Sequence, residues 1–269
     1  MIISMLTDYG HDDEFAGVCR AVIARIAPEA RVIDLTHGIG RHDVRQGAAV
    51  LANSLPFTPT GIHLAIVDPA VGSERKAIAV RVTDSDRLLV GPDNGLLSLA
   101  WEKCGGAVEA VDISRSPLRL EPVSATFHGR DIFAPVAARL ALGDRLADLG
   151  ETLDPELLTR LERSEAVVER DRRVVAEVAY VDRFGNAALD LGEEDLLEAG
   201  LKLGRRLWVE GSQITLDAVY ALAFADVGAG ELILYLDSYR HPALAVNRGS
   251  AAEQLGIGAG DRVVLRPAT

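Results

Sequence analysis

The 269-residue chain has only two cysteines, Cys19 in an apolar helical stretch and Cys104 just before paired glycines. That scarcity excludes a disulfide framework or a cysteine-rich zinc cluster and points to a reducing, cytoplasmic compartment. Positive charge is also short: Lys and Arg total 28 against 40 Asp and Glu, a formal net charge of −12. General nucleic-acid binding needs a basic face that displaces counterions from phosphate, so that class is excluded. No apolar run approaches the roughly 18 residues of a membrane span, and the opening MIISMLTDYG is too short in apolar run for a signal peptide. No G-x-G-x-x-G follows a strand and no G-x-x-x-x-G-K-[ST] occurs, so the usual phosphate cradles are missing. Internal repeats and low-complexity tracts are absent too. A small ligand without phosphates fits these absences, and the acidic balance is compatible with a cationic one.

What is present is an ordinary globular composition, 48 % apolar and 25 % charged, enough for one large domain or two modest ones. The first half alternates strand-like runs with helical patterns. Residues 2–6, 31–35, 61–67, 77–82 and 87–90 read as strands. Phe15, Val18, Val22 and Ile26 recur at helical spacing within 12–26, with acidic residues placed in the first turn. A second helix follows Asp43, a third starts near Asn94, and a fourth spans 132–142. This rhythm predicts an N-terminal Rossmann-like α/β domain with a mostly parallel sheet over residues 1–160. The charged stretch from Gly150 to Arg173 reads as a solvated helix or linker, with the linker proper at 161–173. Short strands with Gly-rich turns then predict a small C-terminal β-barrel over 174–269. Ser250 and Glu253 form a capping-box pattern for one short helix ending before Gly256.

In open α/β sheets ligands bind beyond the carboxyl ends of the strands. Three polar clusters fall there: Thr7 to Asp13, Asp68 to Arg75, and Gly91 to Gly95. Each alone is compatible with turn chemistry, but three at one sheet edge point to a site. A fourth, Ser124 to Asp131, carries His128 beside Gly129, which leaves room for a ligand near the ring. Asp131 is equally placed to cap the helix that follows.

Taken in order, LTDYG (6–10), VDPAVGSER (67–75), VGPDNG (90–95), TFHGRDIFAPVAA (126–138), YVDRFGN (180–186) and AVNRGSAAE (245–253) resemble the S-adenosylmethionine (SAM) hydroxide adenosyltransferases. These are the hydrolase relatives of the fluorinase and chlorinase. The resemblance covers nearly the whole chain. It implies an N-terminal α/β domain, a C-terminal β-barrel, and hydrolysis of SAM to adenosine and methionine with no cofactor and no metal. It also implies a homotrimer with inter-subunit active sites, whose partner is the small-molecule substrate rather than nucleic acid or membrane. Asp68, Arg75 and His128 match the family's catalytic set. Halogenating relatives carry Tyr at the place of Asp68 and Tyr-Ser at His128–Gly129, so the resemblance favours water as nucleophile. The same likeness assigns substrate contacts to Asp8, for the ribose hydroxyls, and to Asp13, Phe127, Gly129, Asp182, Phe184, Asn186, Ser238 and Val246. One departure stands at Ser238-Tyr239-Arg240-His241, where relatives have Ser-x-Gly-Tyr; either His241 or Tyr239 takes the tyrosine's place against adenine. Ala70 replaces a common glycine.

Two other readings compete. A metal-dependent hydrolase would draw on Asp8, His11, Asp12 and Asp13, which are bunched on one loop with no second ligand set. A nucleoside-binding module without turnover would not need Asp68, Arg75 and His128. Plain core packing is the alternative for Phe184 and Val246, and a hairpin turn the alternative for 182–186.

Overall fold

A computed structural model describes residues 1–162 and 164–268. Arg163, in the expected linker, and Thr269, at the expected barrel end, lie outside the described residues. The chain divides into two compact units, Met1–Leu161 and Glu162–Thr269. Among the described residues no helix is long and apolar enough to cross a membrane.

Unit 1 is a seven-stranded sheet in the order β2-β1-β3-β5-β4-β6-β7. The strands are β1 (Ile2–Thr7), β2 (Arg31–Thr36), β3 (Ile62–Ile66), β4 (Ala77–Val82), β5 (Leu88–Pro92), β6 (Ala107–Asp112) and β7 (Glu151–Leu153). Pairings β1–β2, β1–β3 and β3–β5 are parallel; α1 and α2 make the crossovers that link β1, β2 and β3, while β3 reaches β5 by way of β4. From β5 outward the pairings are antiparallel, because β4 and β5 are joined by a short turn that leaves no room for a crossover.

Strand residues alternate between two cores. Ile3, Met5, Ile62, Leu64 and Ile66 face helices α1 (Phe15–Ile26) and α4 (Ala134–Ala141). Leu6, Ala65, Ile78, Val80 and Leu89 face α2 (Val44–Ser54) and α3 (Ser98–Lys103). The sheet is therefore covered on both sides, and its central strands are buried on both faces.

Two local expectations change. Asp12, Asp13 and Glu14 precede α1 rather than filling its first turn, which has no acidic residue. Among the described residues the charged stretch after Gly150 forms no α-helix, only the single 3-10 turn Pro155–Leu157. Its first part is β7, paired with β6, and the segment beyond it is bound to unit 1: the Thr159 N–H donates to Asp93 Oδ1 at 2.9 Å and the Leu161 N–H to Ser98 Oγ at 3.0 Å.

Unit 2 is a closed seven-stranded barrel. Its strands are β9 (Val174–Val181), β10 (Ala187–Leu189), β11 (Arg206–Glu210), β12 (Thr215–Tyr220), β13 (Leu232–Leu236), β14 (Pro242–Val246) and β15 (Arg262–Pro267), while β8 (Val167–Val168) adds to the outer edge of β9. The ring closes through β9–β10, which removes the open edges a small sheet would otherwise expose. Val174, Val178, Leu207, Val209, Leu234, Leu244, Val263 and Leu265 fill the interior. Two short helices, α5 (Glu193–Glu198) and α6 (Ala251–Leu255), add Leu196 and Leu255 to that core. Ser250 caps α6 by accepting from the Glu253 N–H at 3.1 Å, and Gly256 ends it in the left-handed region at φ +63.

Candidate active site

Strand β1 lies between β2 and β3. The chain leaves β1 through α1 on one face and returns to β3 through α2 on the other. The carboxyl ends of β1 and β3 therefore frame a crevice, the place where doubly wound sheets bind ligands. Asp8 follows β1 directly and Asp68 stands two residues after β3. A cleft of about 520 Å³ opens there, lined among others by Asp8, Asp13, Asp68, Phe127, His128 and Gly129. That volume suits a nucleoside-sized ligand.

At its foot Arg75 turns back on Asp68. Its Nε donates to Asp68 Oδ1 at 3.0 Å, its Nη2 donates to Oδ2, and both side chains are 6 % exposed. The turn between them is held by the Val71 N–H on Asp68 O at 3.3 Å and the Ser73 N–H on Ala70 O at 3.1 Å. Gly72 sits at φ +80 with its Cα hard against Ala125, since a Cβ there would lie 2.3 Å from the Ala125 carbonyl oxygen. That contact brings the 68–75 turn onto the loop that carries His128.

Arg75 Nη2 is 3.2 Å from His128 Nδ1. A guanidinium has no acceptor, so Nδ1 must accept. The neutral ring then carries its proton on Nε2. Burial pushes the His128 pKa below the ordinary histidine value and Arg75 adds to this, against opposing pulls from Asp68 and Asp131. His128 is thus a neutral ring with a fixed tautomer, and its Nε2–H is a donor.

The residues after His128 form a π-helical turn, Gly129–Phe133, ahead of α4, a feature common at functional positions. Asp131 does not cap the helix from outside. It lies buried inside this turn, where it takes a bidentate pair from Arg130 at 2.7 and 2.9 Å and the Ser124 N–H at 2.8 Å. Burial raises the cost of its charge, yet these bonds outweigh it and hold the carboxyl below the usual range. Asp131 therefore fixes the shape of the 124–131 loop.

On the far wall, the His42 N–H donates to Asp8 Oδ2 at 2.9 Å. His42 holds the left-handed region at φ +64, a conformation non-glycine residues adopt rarely. Tyr9, Phe15 and Phe127 pack as three rings with centroids 5.2–5.9 Å apart. Burial raises the Tyr9 pKa well above the usual phenol value, with Cys19, Asp8 and Asp68 adding, so its hydroxyl stays protonated. Burial likewise pushes the Cys19 thiol up to about 12, which leaves it a neutral packing group.

The clusters divide by role. The first, second and fourth meet at the cleft. The third does not line it: Asn94 Nδ2 donates to Val67 O at 2.9 Å, Asp93 accepts from Thr159, and Gly91 lets the chain pass close to the Ala65 carbonyl. It shapes the end of β3 without touching the cleft. Among the described residues no group of three His, Cys, Asp or Glu is placed to hold a metal ion.

In unit 2, Asp182 and Asn186 bracket a tight turn. The Asp182 carboxylate accepts from the Phe184 N–H at 2.8 Å, the Asn186 N–H at 3.0 Å and Asn186 Nδ2 at 2.8 Å. Ser238 lies in a second turn of the same design, where Asp237 Oδ1 accepts from the Tyr239 N–H at 2.8 Å and the His241 N–H at 2.9 Å. Phe184 is 70 % exposed and Tyr239 42 % exposed, while Val246 is buried in the barrel core.

Sequence reasoning missed Tyr9, Phe15, Arg41, His42, Ile66, Val71 and Thr126 as cleft residues. Tyr9 and Thr126 stood inside recognised motifs. Arg41 and His42 gave no signal, because the β2–α2 loop reaches the cleft only through tertiary folding.

Residues 3–150 match the SAM hydroxide adenosyltransferase N-terminal domain and residues 176–264 the C-terminal domain. The chain is 49 % identical over 261 residues to the (R)-S-adenosyl-L-methionine hydrolase of Salinispora tropica, covering 97 % of this chain and 96 % of that protein. It is 38 % identical over 283 residues to the protein of the same name from Thermus thermophilus, covering 98 % of each. A fluorinase from Nocardia brasiliensis is 27 % identical over 295 residues, covering 98 % of this chain and 96 % of that protein. The crystal structure of an uncharacterized conserved protein from Thermotoga maritima superimposes with a TM-score of 0.89 at 38 % identity, covering 98 % of this chain and 99 % of that one. With both domains matched and whole-length relatives at this identity, the chain belongs to the SAM hydroxide adenosyltransferase family.

Proposed function

We propose that this protein hydrolyses (R)-S-adenosyl-L-methionine at the ribose C5′ carbon, giving adenosine and L-methionine. The observation that carries the reading is the Asp68–Arg75–His128 cluster at the foot of the cleft, with Asp8 on the opposite wall.

The sulfonium sulfur departs from C5′ as the neutral thioether of methionine. No acid, metal or cofactor is needed at that end. What the reaction needs is a water placed in line with the C5′–S bond and a group to take its proton. The His128 Nε2–H donates to the water oxygen and fixes its position. Asp68 accepts the proton as the C5′–O bond forms. Arg75 holds both groups in register and stabilises the hydroxide-like character of the attacking oxygen. Asp8 takes the ribose hydroxyls. Asp13 and Asp8 add negative charge beside a cationic substrate, while Phe127 and Gly129 form the wall against the sugar. Positioning in a cleft shielded from bulk water supplies much of the rate.

The family resemblance extends this reading to a homotrimer, in which unit 2 of one copy supplies Asp182, Phe184, Asn186 and Ser238 to the substrate held by its neighbour, while Val246, buried in the barrel core, is a packing residue. The exposed Phe184 and Tyr239 rings support an apolar contact of that kind. Light scattering at a mass three times 28.7 kDa is the expected result, and a monomer would refute it. The free thiols of Cys19 and Cys104 support a reducing, cytoplasmic setting.

The test is incubation of chelator-treated protein with (R)-S-adenosyl-L-methionine, following adenosine and methionine by chromatography. Equal amounts of both products, lost in Asp68→Ala and His128→Ala, support the reading. Tight nucleoside binding without products would make the protein a binding module.

A further inference from the structure

Asp8 and His128 stand on different loops, yet hydrolysis requires the ribose and the attacking water to be held in one geometry. We infer that Tyr9 is a positioning residue that couples them: its hydroxyl seats Gly129, and through Gly129 it sets the place of the His128 ring. The inference rests on the hydrolase reading and deepens it.

Four observations carry it. Tyr9 is bonded in sequence to Asp8, so any movement of its ring is shared with that loop. The ring is clamped, 5.9 Å from both Phe15 and Phe127, and those two rings lie 5.2 Å from each other. Arg130 in turn lies 5.2 Å over Phe127 and is paired with the buried Asp131, so the clamp is itself anchored. Finally, a Cβ at position 129 would lie 2.2 Å from the Tyr9 hydroxyl oxygen and 3.4 Å from Cys19 Sγ.

The last of these is the most informative. Gly129 has no positive φ. Its helical-type turn is open to any residue, so the backbone does not demand glycine. The demand comes from the Tyr9 phenol, first its oxygen at 2.2 Å and then its Cζ at 3.2 Å, since 3.4 Å from Cys19 is an ordinary contact. A free tyrosine would swing aside to admit a methyl group, but this one packs against two aromatic rings that also pack on each other. The displaced partner would then be the 128–129 backbone. His128 is the neighbouring residue, and its 3.2 Å contact with Arg75 has no slack for a shift of that size. A phenylalanine at position 9 would fill the same aromatic cluster without the 2.2 Å contact, leaving only its Cζ at 3.2 Å.

The experiment is a double-mutant cycle with Tyr9→Phe, Gly129→Ala and the pair, measuring kcat, KM and melting temperature with (R)-S-adenosyl-L-methionine. Gly129→Ala is expected to lower kcat at least about tenfold with KM within about threefold, since small misplacements of a catalytic group cost rate. Adding Tyr9→Phe removes the 2.2 Å contact and leaves Cζ at 3.2 Å, which a shift of a few tenths of an ångström relieves, so the pair is expected within about threefold of Tyr9→Phe alone. A Gly129→Ala protein as active as the unsubstituted one would overturn the inference. So would a pair that stays about tenfold or more below Tyr9→Phe, and this comparison decides the matter even when Gly129→Ala alone does not fold. Absence of turnover by the unsubstituted protein would instead remove the hydrolase reading. The steric coupling would then be read from melting temperatures, lowered by Gly129→Ala and restored in the pair.

Discussion

The two units handle polarity in opposite ways. Among the described residues, every polar residue that is buried as a whole (Ser4, Thr7, His37, Asn53, His63, Ser98, Ser116 and Asp131) lies in unit 1. The barrel of unit 2 has an aliphatic interior and carries its polar residues of interest on turns. Of the six histidines, only His241 belongs to unit 2. The doubly wound sheet ends in a crevice where charged groups are partly desolvated and hold one another. The closed barrel has no such crevice in its core and presents side chains outward. Unit 1 is thus built to alter the chemistry of its residues, and unit 2 to display them.

That contrast is broken or sharpened most by removing one charge from each unit. Asp68→Ala strips a buried carboxylate from Arg75, and the expected result is a kcat loss of about a thousandfold with a stability loss of about 3 kcal/mol. Asp217→Ala removes the carboxylate from an ion pair in unit 2 whose Arg206 side chain is 63 % exposed, and the expected cost is below about 1 kcal/mol. Equal losses in urea titrations of the two variants would erase the distinction.

Acid comes next. His63 is fully buried between Ser4 Oγ, 2.7 Å from Nδ1, and Arg87 Nη1, 2.9 Å from Nε2. Burial first, then Arg87, lowers its pKa to about 3. The unfolded chain takes up that proton near 6.5. Its contribution is therefore complete above about 6.5 and is lost as pH falls from there toward 3, a change on the order of 5 kcal/mol. His37 and His128 are lowered in the same direction. Unit 1 should then unfold at a higher pH than unit 2. Each unit holds one tryptophan, Trp101 or Trp208, so Trp208→Phe and Trp101→Phe proteins report the units separately by fluorescence. Coincident transitions would contradict the contrast.

Smaller effects test whether the turns of unit 2 display ligand contacts or only shape the chain. Asp182→Ala removes the acceptor for two backbone N–H groups and should cost about 1–2 kcal/mol. Phe184→Ala removes an exposed ring and should leave stability within about 0.5 kcal/mol while raising KM. An unchanged KM would make that turn purely structural. Ser250→Ala, which removes the α6 cap, should cost about 1 kcal/mol in chemical denaturation and leave kcat unaltered.

Much of this was legible in the sequence, for reasons that differ by element. Strands β1 and β3 announced themselves because strands buried on both faces are continuous apolar runs. The α6 cap was readable because Ser250, Glu253 and Gly256 are local signals. The antiparallel pairing of β4 and β5 follows from the short gap between 77–82 and 87–90, but the place of β4 outside β5 in the sheet leaves no local signal. β7 was hidden by its charge, as it lies at the sheet edge with Glu151 and Thr152 exposed. At the site, Asp8, Asp68 and His128 were found because each sits in a motif at a strand or helix end. The Gly91–Gly95 cluster misled because packing turns and ligand turns use the same residues. His42 and Tyr9 act through contacts with distant loops, and one-dimensional spacing carries no trace of those.

The most direct test of the account is hydrolysis of (R)-S-adenosyl-L-methionine in ¹⁸O-labelled water, with mass spectrometry of the adenosine formed. Attack of water on C5′ predicts one labelled oxygen, at the 5′-hydroxyl, with unlabelled methionine released in equal amount. Adenosine without label, or substrate left intact by the chelator-treated protein, would contradict it.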